Sequence, residues 1–293
     1  REICGEAWRL VAAARDVTLL AIGGGATMDL AKMIRHRPVT ADFEALAEAV
    51  RGHEPLPALA AVDLVAVPTT AGTGSEVTPW ATLWDMAPAV PRKLSLHSPA
   101  GFARAAIVDP ACCLTCPPAV TRDSALDALS HALEAIWNRH ASPATDALAV
   151  GAARAILRWL PEVMSCPASR DGREALSVAA MQAGLAFAQT QTALAHALSY
   201  DLTIARGVPH GLACALWLVT AWRLARGRSP DRDATLAQVF GPHRDGPEAL
   251  SSWLLALGVD PDPRSHGIDD EGARVAAALS SPRGRNFIGA VHA

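Results

Sequence analysis

Four residues in two short blocks have the types and the spacing of a metal site. Asp127 and His131 lie in the block DALSH, and His196 and His210 lie in HALSYDLTIARGVPH. Asp127 and His131 are four residues apart in a helical pattern, so both project from one face of a helix, one turn apart. One carboxylate and three imidazoles suit a borderline divalent metal such as ferrous iron or zinc, with room for one exchangeable ligand. The pattern predicts a metal that polarises a small oxygen-bearing substrate.

The two histidines of the second block reach the first pair only if the chain changes direction. The pattern predicts that His196 ends one helical stretch and that His210 opens the next, directly after a proline. A chain that turns between them can aim both imidazoles into one cleft. A local hydrogen bond would explain Asp127 and His131 as an isolated pair, but four such residues in two compact blocks favour the metal. The other histidines show no such organisation and are interpreted as surface or structural residues: His36, His53, His97, His140, His243, His266 and His292.

Upstream of these blocks, two polar turns carry the residue types of a phosphate-binding site. Gly23, Gly24 and Gly25 stand between a strand-like run and a helical run. Glycines let the backbone approach a diphosphate, and a helix N-terminus offers unpaired N–H groups and the positive end of a dipole. Three glycines alone are equally typical of a tight structural turn. A second turn, PTTAGTGSE at 68–76, follows the next predicted strand and should reach the same edge of the sheet, which favours a bound nucleotide. Its polar residues are Thr69, Thr70, Thr73 and Ser75.

The elements that must position these residues divide the chain into two halves. Three short apolar runs are predicted to be buried parallel strands, at 18–24, 64–70 and 105–110. The segment TMDLAKMI at 27–34 has helical spacing. From about residue 118 the pattern is helical almost throughout, beginning with a predicted helix at 120–138. We predict an α/β nucleotide-binding domain with a doubly wound parallel sheet at 1–110, followed by an all-α metal-binding domain at 111–293.

Composition limits the class of protein. The 293 residues are enough for two domains with separate cores, and a hydrophobic fraction of 51% is typical of a globular chain. The formal net charge is −3 without any basic block, which gives no support for nucleic acid or an anionic membrane as a partner. The longest apolar runs are too short or too interrupted to cross a bilayer, and the charged start REICGEAWR is unlike a signal peptide.

The cysteines indicate the compartment. Six cysteines in a chain of this length do not form a disulfide framework, so we expect a reducing, cytoplasmic location. Cys112, Cys113 and Cys116 include a Cys-x-x-Cys spacing, but no second pair is close enough to complete a metal or redox site. Positions in loops and in packing are the favoured interpretation.

Five blocks resemble the iron-containing (group III) alcohol dehydrogenase family, and they occur in the family's order: AIGGGATMDLAK, PTTAGTGSEVTPWA, IVDP, LDALSHALEA and HALSYDLTIARGVPHG. The resemblance extends from about residue 16 to 220. It implies two domains, NAD or NADP in the cleft, and a divalent metal, usually ferrous iron, on one Asp and three His. These ligands map to Asp127, His131, His196 and His210, and zinc or manganese accepts the same set. The implied cofactor contacts are Gly23, Gly24, Gly25, Asp29, Thr69, Thr70, Thr73, Ser75 and Lys93.

Three features depart from the family pattern. Tyr200 stands where many members have a histidine that is a candidate for proton relay. Its phenol could replace that histidine, water could carry the proton, or Tyr200 could be a packed aromatic. Ala26 replaces the serine that commonly follows the three glycines. The chain is also short at both ends relative to the family, so we expect a truncated N-terminal sheet that lacks its first strands.

The resemblance implies NAD(P)-linked oxidation of an alcohol or reduction of an aldehyde. The blocks TPWATLWD and ALSHALEAIWNRHASPATDALAV are most similar to the phosphonoacetaldehyde reductase branch, which predicts reduction of phosphonoacetaldehyde to 2-hydroxyethylphosphonate. A dianionic phosphonate needs a cationic pocket, for which Arg139 and Arg206 are candidates, although each could equally be a solvated surface charge. Other small alcohols, diols or aldehydes are alternative substrates. A homodimer is the expected assembly.

Two readings from other classes stay open. A metal-dependent lyase or cyclase of the dehydroquinate synthase kind shares this architecture and also uses NAD. Such enzymes normally show a glutamate and two histidines as ligands, with a pocket rich in lysine and arginine, so Asp127 and the sparse basic residues argue against this class. An inactive remnant would keep a stable helical metal-binding domain and an incomplete nucleotide-binding domain.

Overall fold

The computed structural model describes residues 2–13, 16–36, 43–52, 62–85, 92–241 and 244–290. The chain divides into two units, one of Arg1–Thr70 with Ser75–Cys113 and one of Ala71–Gly74 with Leu114–Ala293. The domain boundary that the sequence predicts after residue 110 stays a prediction.

A parallel sheet forms the centre of the first unit. Among the described residues this unit contains the strands β1 (Val17–Gly23), β2 (Val62–Pro68), β3 (Trp80–Asp85), β4 (Arg92–His97) and β5 (Ala105–Ala106). Strands β1, β2 and β5 are parallel with β2 in the middle, and β1 pairs with β2 along its full length. Because the strands run in one direction, the turns that follow β1 and β2 emerge at the same edge of the sheet. This arrangement confirms the predicted parallel sheet and sets the two polar turns side by side.

The antiparallel pair of β3 and β4 is not predicted by the sequence pattern. It begins with Trp80 opposite His97, whose rings stack with centroids 3.9 Å apart. The third predicted parallel strand is also shorter than expected, since β5 covers two residues of the run at 105–110. Asp109 and Pro110 follow the apolar residues of that run, and a proline cannot donate to a strand ladder.

Helices pack against both groups of strands in the first unit. They are α1 (Glu2–Ala13), α2 (Gly25–Arg35) and α3 (Phe43–Gly52). Trp8 on α1 is fully buried, and its indole N–H donates to the carbonyl oxygen of Ile34 at 2.9 Å. Leu46 on α3 lies in the same apolar cluster. A buried indole that has a hydrogen-bond partner fixes the position of α1 on the end of α2.

The second unit is helical, as predicted. Its described helices are α4 (Pro118–Ile136), α5 (Pro143–Ser165), α6 (Arg170–Thr190), α7 (Leu194–Arg206), α8 (His210–Ala215), α9 (Leu218–Ala225), α10 (Pro230–Phe240), α11 (Gly246–Ala256) and α12 (Glu271–Ser280). On α4, Leu126, Leu129 and Leu133 are completely buried, which matches their helical spacing in the sequence. Each such side chain contributes about 1.5–3 kcal/mol by leaving water. Among the described residues, no helix has both the length and the apolar character that crossing a membrane requires.

Helix α4 lies at the centre of this unit. It contacts α5, α6 and α8, and buried alanines such as Ala128 and Ala132 stand where these helices meet. Alanine lets neighbouring helices approach closely because its side chain ends at Cβ. Because of these alanines, the backbones of several helices lie close to α4. Polar groups on α4 therefore face other helices instead of water.

Candidate metal and nucleotide sites

The four predicted ligands lie together in the second unit. The Nε2 atoms of His131 and His196 are 3.1 Å apart. The Oδ1 atom of Asp127 is 3.9 Å from the Nε2 of His131 and 3.6 Å from that of His196. The ring of His210 stands edge-on to His196 with centroids 5.4 Å apart. The structure therefore brings the four residues to one point, and their role as ligands stays a prediction.

The distances and the donor chemistry fit one divalent ion. Two oxygen or nitrogen ligands that each bind a metal at about 2.1 Å can be at most about 4.2 Å apart, and the three measured separations meet this limit. The Oδ1 atom of Asp127 is buried and has no hydrogen-bond partner among the described residues. Burying a charged acceptor without a partner costs free energy, and a bound cation would remove that cost.

His196 lies in the first turn of α7, so the prediction that it ends a helical stretch is wrong. Helix α6 ends at Thr190, and Gln191 has a φ of 63°, which a helix cannot contain. The carboxylate of Glu134 on α4 accepts the backbone N–H groups of Ala193 at 2.8 Å and of Ala195 at 2.5 Å. It also accepts that of His196 at 3.2 Å. A carboxylate at this position satisfies the unpaired N–H groups of the first turn and the positive end of the helix dipole.

Glu134 also orients the imidazole of His196. Its Oε2 atom is 2.6 Å from the Nδ1 of His196, and the glutamate is completely buried. An ionised carboxylate can only accept, so Nδ1 carries a proton, and Nε2 is the ring nitrogen that faces Asp127 and His131. The sequence pattern does not identify this role of Glu134. The sequence does contain an indication of it, since Glu134 lies three residues after His131 and therefore on the same face of α4.

His210 is the first residue of α8, as predicted. It follows Pro209, whose carbonyl oxygen accepts the N–H of Ala213 at 2.9 Å and so begins the helix. The structure places a short break between α7 and α8, where Gly207 has a φ of 66° in the left-handed region. Glycine tolerates this conformation, and it ends α7 so that the chain can reverse and carry His210 back toward His196.

The charges of the cluster favour a cation at its centre. Burial raises the pKa of Asp127. The histidines His131, His196 and His210 lower it by more than burial raises it, so the pKa lies well below its usual range. Burial alone would lower the pKa of His196, but Cys214, Glu134 and Asp127 more than reverse this effect and raise it well above its ordinary value. The acidic groups thus stabilise positive charge at His196, whether a proton or a metal ion supplies it.

The first unit brings the first polar turn next to Thr69 and Thr70, the start of the second turn. A Cβ atom on Gly23 would lie 2.3 Å from the Oγ1 of Thr27, and one on Gly24 would lie 3.3 Å from the Oγ1 of Thr70. The N–H of Thr69 donates to the carbonyl oxygen of Gly23 at 2.9 Å. Helix α2 begins at Gly25, and the preceding Gly24 forms no side-chain cap. A narrow glycine cradle before an uncapped helix N-terminus fits the diphosphate of a nucleotide.

Asp29 and Ser75, two predicted cofactor contacts, are joined by a buried network around Lys32. The Oγ of Ser75 donates to the Oδ1 of Asp29 at 2.9 Å, and the N–H of Thr82 donates to its Oδ2 at 2.9 Å. The Nζ of Lys32 donates to the carbonyl oxygen of Ser75 at 2.7 Å and to that of Trp80 at 2.6 Å. Burial lowers the pKa of Lys32 to about 8, although Asp29 and another buried carboxylate oppose this shift. The network ties the second turn to α2, and the predicted contacts of Asp29 and Ser75 with a nucleotide stay predictions.

Burial raises the pKa of Asp29, and the charge of Lys93, another predicted cofactor residue, is among the effects that oppose this rise. Lys93 is on β4. Thr73 belongs to the second unit, between Gly72 and Gly74. A Cβ on Gly72 would lie 2.7 Å from the Cβ of Ser124, and one on Gly74 would lie 2.5 Å from the Cα of Gly184. Their contacts with a nucleotide stay predictions.

Two profiles of one known family together match nearly the whole chain. The profile of iron-containing alcohol dehydrogenase matches residues 2–110, and that of the C-terminal part of the Fe-containing alcohol dehydrogenase family matches residues 121–286. The chain belongs to the iron-containing alcohol dehydrogenase family. The second match contains all four predicted metal ligands, and the first contains both polar turns.

Individual relatives in this family act on different small molecules, as their names state. Choline dehydrogenase of Bacillus subtilis (strain 168) is 34% identical over 252 residues, which are 83% of this chain and 61% of that protein. Phosphonoacetaldehyde reductase of Streptomyces viridochromogenes is 38% identical over 224 residues, which are 74% of this chain and 55% of that protein. The chain thus spans about three fifths of the length of such curated relatives.

A solved structure gives the same picture of the fold. The crystal structure of sulfoacetaldehyde reductase from Bifidobacterium kashiwanohense in complex with NAD+ has a TM-score of 0.85 and 28% identity. The match covers 99% of this chain and 76% of that chain. The parallel-sheet unit followed by a helical unit in this protein is therefore the architecture of iron-containing alcohol dehydrogenases.

Tyr200 departs from the pattern expected for this family, and the structure places it beside the cluster. Its ring stacks on that of His210 at an angle of 17°, with centroids 6.4 Å apart. The guanidinium carbon of Arg283 is 5.9 Å from the centre of the Tyr200 ring. The ring of Tyr200 is thus next to His210, and its role in proton relay stays a prediction.

The two arginines that the sequence offered for an anionic substrate are engaged elsewhere. Arg206 donates to the carbonyl oxygens of His266 and Gly267, and Arg139 donates to that of Arg285 at 3.3 Å. Both side chains pair with backbone at the surface. Arg283 was not identified from the sequence, because it lies more than seventy residues after His210 and only the fold of the C-terminal part brings it near Tyr200.

Proposed function

We propose that the protein is a metal-dependent, NAD(P)-linked alcohol dehydrogenase that reduces a small aldehyde in its physiological direction. The observation that carries the proposal is the buried cluster of Asp127, His131 and His196, with the half-buried His210 beside His196 and an unsatisfied carboxylate oxygen on Asp127. Membership in the iron-containing alcohol dehydrogenase family and the glycine cradle before α2 support it. Ferrous iron is the proposed metal, and zinc or manganese accepts the same donors.

The chemistry divides between the bound groups and the chain. When bound, the metal would act as a Lewis acid toward the substrate oxygen and the nicotinamide would exchange a hydride with the adjacent carbon. Asp127 and the three histidines would hold the ion, and the hydrogen bond from Glu134 to Nδ1 would orient the imidazole of His196 for it. Tyr200 is the proposed carrier of the one proton that the reduction consumes, and that proton resides on its phenol oxygen. The burial of the ligands keeps competing water away from the reacting oxygen.

The proposed substrate is a two-carbon aldehyde with an anionic end, specifically phosphonoacetaldehyde. The names of two relatives support this class, since one is a phosphonoacetaldehyde reductase and the other a sulfoacetaldehyde reductase. In both substrates a tetrahedral oxyanion is attached to the carbon next to the aldehyde carbon. We assign its recognition to Arg283, which stands over the ring of Tyr200 and whose Nη1 donates to the Oγ1 of Thr192 at 2.6 Å. A guanidinium binds such oxyanions through paired hydrogen bonds.

The assay of the proposed function compares aldehydes. Protein prepared without oxygen and loaded with ferrous iron should oxidise NADH or NADPH with phosphonoacetaldehyde far faster than with propanal or lactaldehyde. Removal of the metal with a chelator should abolish the reaction, and added ferrous iron should restore it. Equal rates with all three aldehydes would remove the phosphonate assignment and leave the dehydrogenase standing.

The same preparation distinguishes a dehydrogenase from an inactive remnant and from a lyase or cyclase. Binding of NADH or NADPH to the folded protein should raise its thermal unfolding temperature in proportion to the logarithm of the nucleotide concentration. No shift with either nucleotide would favour an inactive remnant. Nucleotide binding without oxidation in the presence of any aldehyde would favour a lyase or cyclase instead.

Replacing Arg283 should separate recognition of the anion from the chemistry. Arg283→Met is expected to raise KM for phosphonoacetaldehyde about 10–100-fold, since a hydrogen bond to a charged group is worth about 1.5–3 kcal/mol. KM for propanal should change little, because propanal has no anionic end. Arg285→Met, two residues away and exposed, is the matched control and should leave both values unchanged. An equal rise for both aldehydes in Arg283→Met would show that Arg283 acts through Thr192 as a structural residue.

Other properties are retained as proposals. Small alcohols without an anionic end are the second candidate class of substrate. The relative named choline dehydrogenase supports them, because it matches a larger share of this chain than the relative named phosphonoacetaldehyde reductase does. A homodimer and a reducing, cytoplasmic location stay predictions from the sequence. Among the described residues, none of the six cysteines forms a disulfide.

A further inference from the structure

Cys214 is a fully buried thiol within the metal cluster, and no role was assigned to it from the sequence. It lies four residues after His210 on α8, so the two side chains share one face of that helix. Its Sγ atom is 3.9 Å from the Nε2 of His210. The Sγ of Cys214 and ligand atoms of Asp127, His196 and His210 all lie within 4.8 Å of one another.

We propose that Cys214 is a further ligand of the metal, so that the site combines a thiolate with a carboxylate and imidazoles. The inference rests on the metal site of the proposed function. A metal binds sulfur at about 2.3 Å and nitrogen at about 2.1 Å, so two such ligands can be up to about 4.4 Å apart. The separation of 3.9 Å between Cys214 and His210 meets that limit. The unsatisfied Oδ1 of Asp127 in the same group of four is an independent sign that the group receives a cation.

A thiolate ligand changes which metal the site prefers. Carboxylate and imidazole donors accept iron, zinc and manganese, whereas a thiolate favours softer ions and selects zinc over iron or manganese. His210 and Cys214 lie one turn apart on α8, Asp127 lies on α4 and His196 lies on α7. Together these four residues offer nitrogen, oxygen and sulfur donors. Cys214 would therefore shift the selectivity of this chain toward zinc relative to a site of one aspartate and three histidines.

Cobalt(II) in place of the native metal reports thiolate coordination directly. The metal-free protein titrated with one equivalent of cobalt(II) should show visible d–d bands and, in addition, a near-ultraviolet sulfur-to-cobalt charge-transfer band. Cys214→Ser and Cys214→Ala should each lose the charge-transfer band while the d–d bands remain. Cys4→Ser is the matched control, because Cys4 is also a buried cysteine but lies on α1 of the first unit, and it should keep the band.

The possible outcomes are distinct. A wild-type protein that shows d–d bands without the charge-transfer band would overturn the role of Cys214 and leave the proposed metal site intact. Persistence of the band in both Cys214 variants would overturn it as well, since another thiol would then be the ligand. No uptake of cobalt or zinc by the wild-type protein would overturn the metal site itself, and the role of Cys214 with it.

A competition experiment adds a second readout that does not depend on activity. Equilibrium dialysis of the wild-type protein against equal zinc and ferrous iron under anaerobic conditions gives the ratio of the two bound metals. In Cys214→Ser the preference for zinc over iron should fall by about tenfold, at the lower end of the 10–100-fold that changes around metal sites cost in affinity. An unchanged ratio would contradict the inference.

Discussion

Gly211→Ala should destabilise the second unit by about 3 kcal/mol or more and weaken metal binding, since overpacking costs typically 1–3 kcal/mol and sometimes more. A Cβ atom at Gly211 would lie 1.9 Å from the carbonyl oxygen of Asp123, and 2.8 and 2.9 Å from the Cβ and N atoms of Asp127. Most of these are backbone atoms of α4, which cannot rotate away as the end of a flexible side chain can. Helix α8 must therefore move away from α4, and it carries His210 with it. Urea denaturation and a zinc titration measure the two effects.

Gly151→Ala is the matched control for this change. Gly151 lies in α5, and the nearest atom to its added Cβ is the Oε1 of Gln182 at 3.6 Å, an ordinary van der Waals distance. Alanine in a helix interior is favoured over glycine by about 0.5–1 kcal/mol, so this variant should be slightly more stable than the wild type. Both variants add one methyl group to a helical glycine, and only the close approach of α4 distinguishes them. Wild-type stability and zinc affinity in Gly211→Ala would show that α8 does not lie against α4 in this way.

The parts of the fold that the sequence predicts are those with local signals. The helical spacing of Leu126, Leu129 and Leu133 places one face of α4 in the core, and the structure buries all three. The apolar run at 18–24 predicts β1, which the structure places at Val17–Gly23, and the following helical spacing predicts α2. In each case a single stretch of chain contains both the apolar period and the residue that stops it, so no information about distant segments is needed.

The parts that the sequence does not predict depend on which groups meet in space. The pattern around His196 predicts the end of a helix, whereas in the structure the carboxylate of Glu134 on another helix accepts the N–H groups of Ala195 and His196 at the start of α7. Lys32 looks like an ordinary exposed lysine on an amphipathic helix, but the structure buries it against the turn at Ser75. Cys214 looks like one of several apolar cysteines until α8 is placed against α4. Buried polar residues take their roles from their partners, and one sequence alone does not name those partners.

Glu134→Gln should have the largest effect at the candidate metal site. The carboxylate accepts four N–H groups, three from the backbone at the start of α7 and one from the Nδ1 of His196. Glutamine has one accepting oxygen, and its NH₂ group would face an N–H donor, so at least one buried donor loses its partner. Removing one member of a buried charged pair costs about 3–5 kcal/mol, and we expect the free energy of unfolding to fall by that amount. Metal affinity should fall about 10–100-fold, because the Nε2 of His196 is no longer fixed in direction.

The control for this change is Glu162→Gln on α5. Glu162 is exposed, its side chain accepts one hydrogen bond, from the Oγ of Ser169 at 2.9 Å, and its substitution should alter stability by no more than about 0.5 kcal/mol. Urea denaturation of the metal-free proteins measures the structural part, and competition with a chromophoric chelator under folding conditions measures the affinity of the folded fraction for zinc. A loss of stability with unchanged affinity would mean that Glu134 supports only the start of α7. A loss of both, with Glu162→Gln unchanged in both, is expected if one carboxylate sets the beginning of the helix and the direction of the imidazole together.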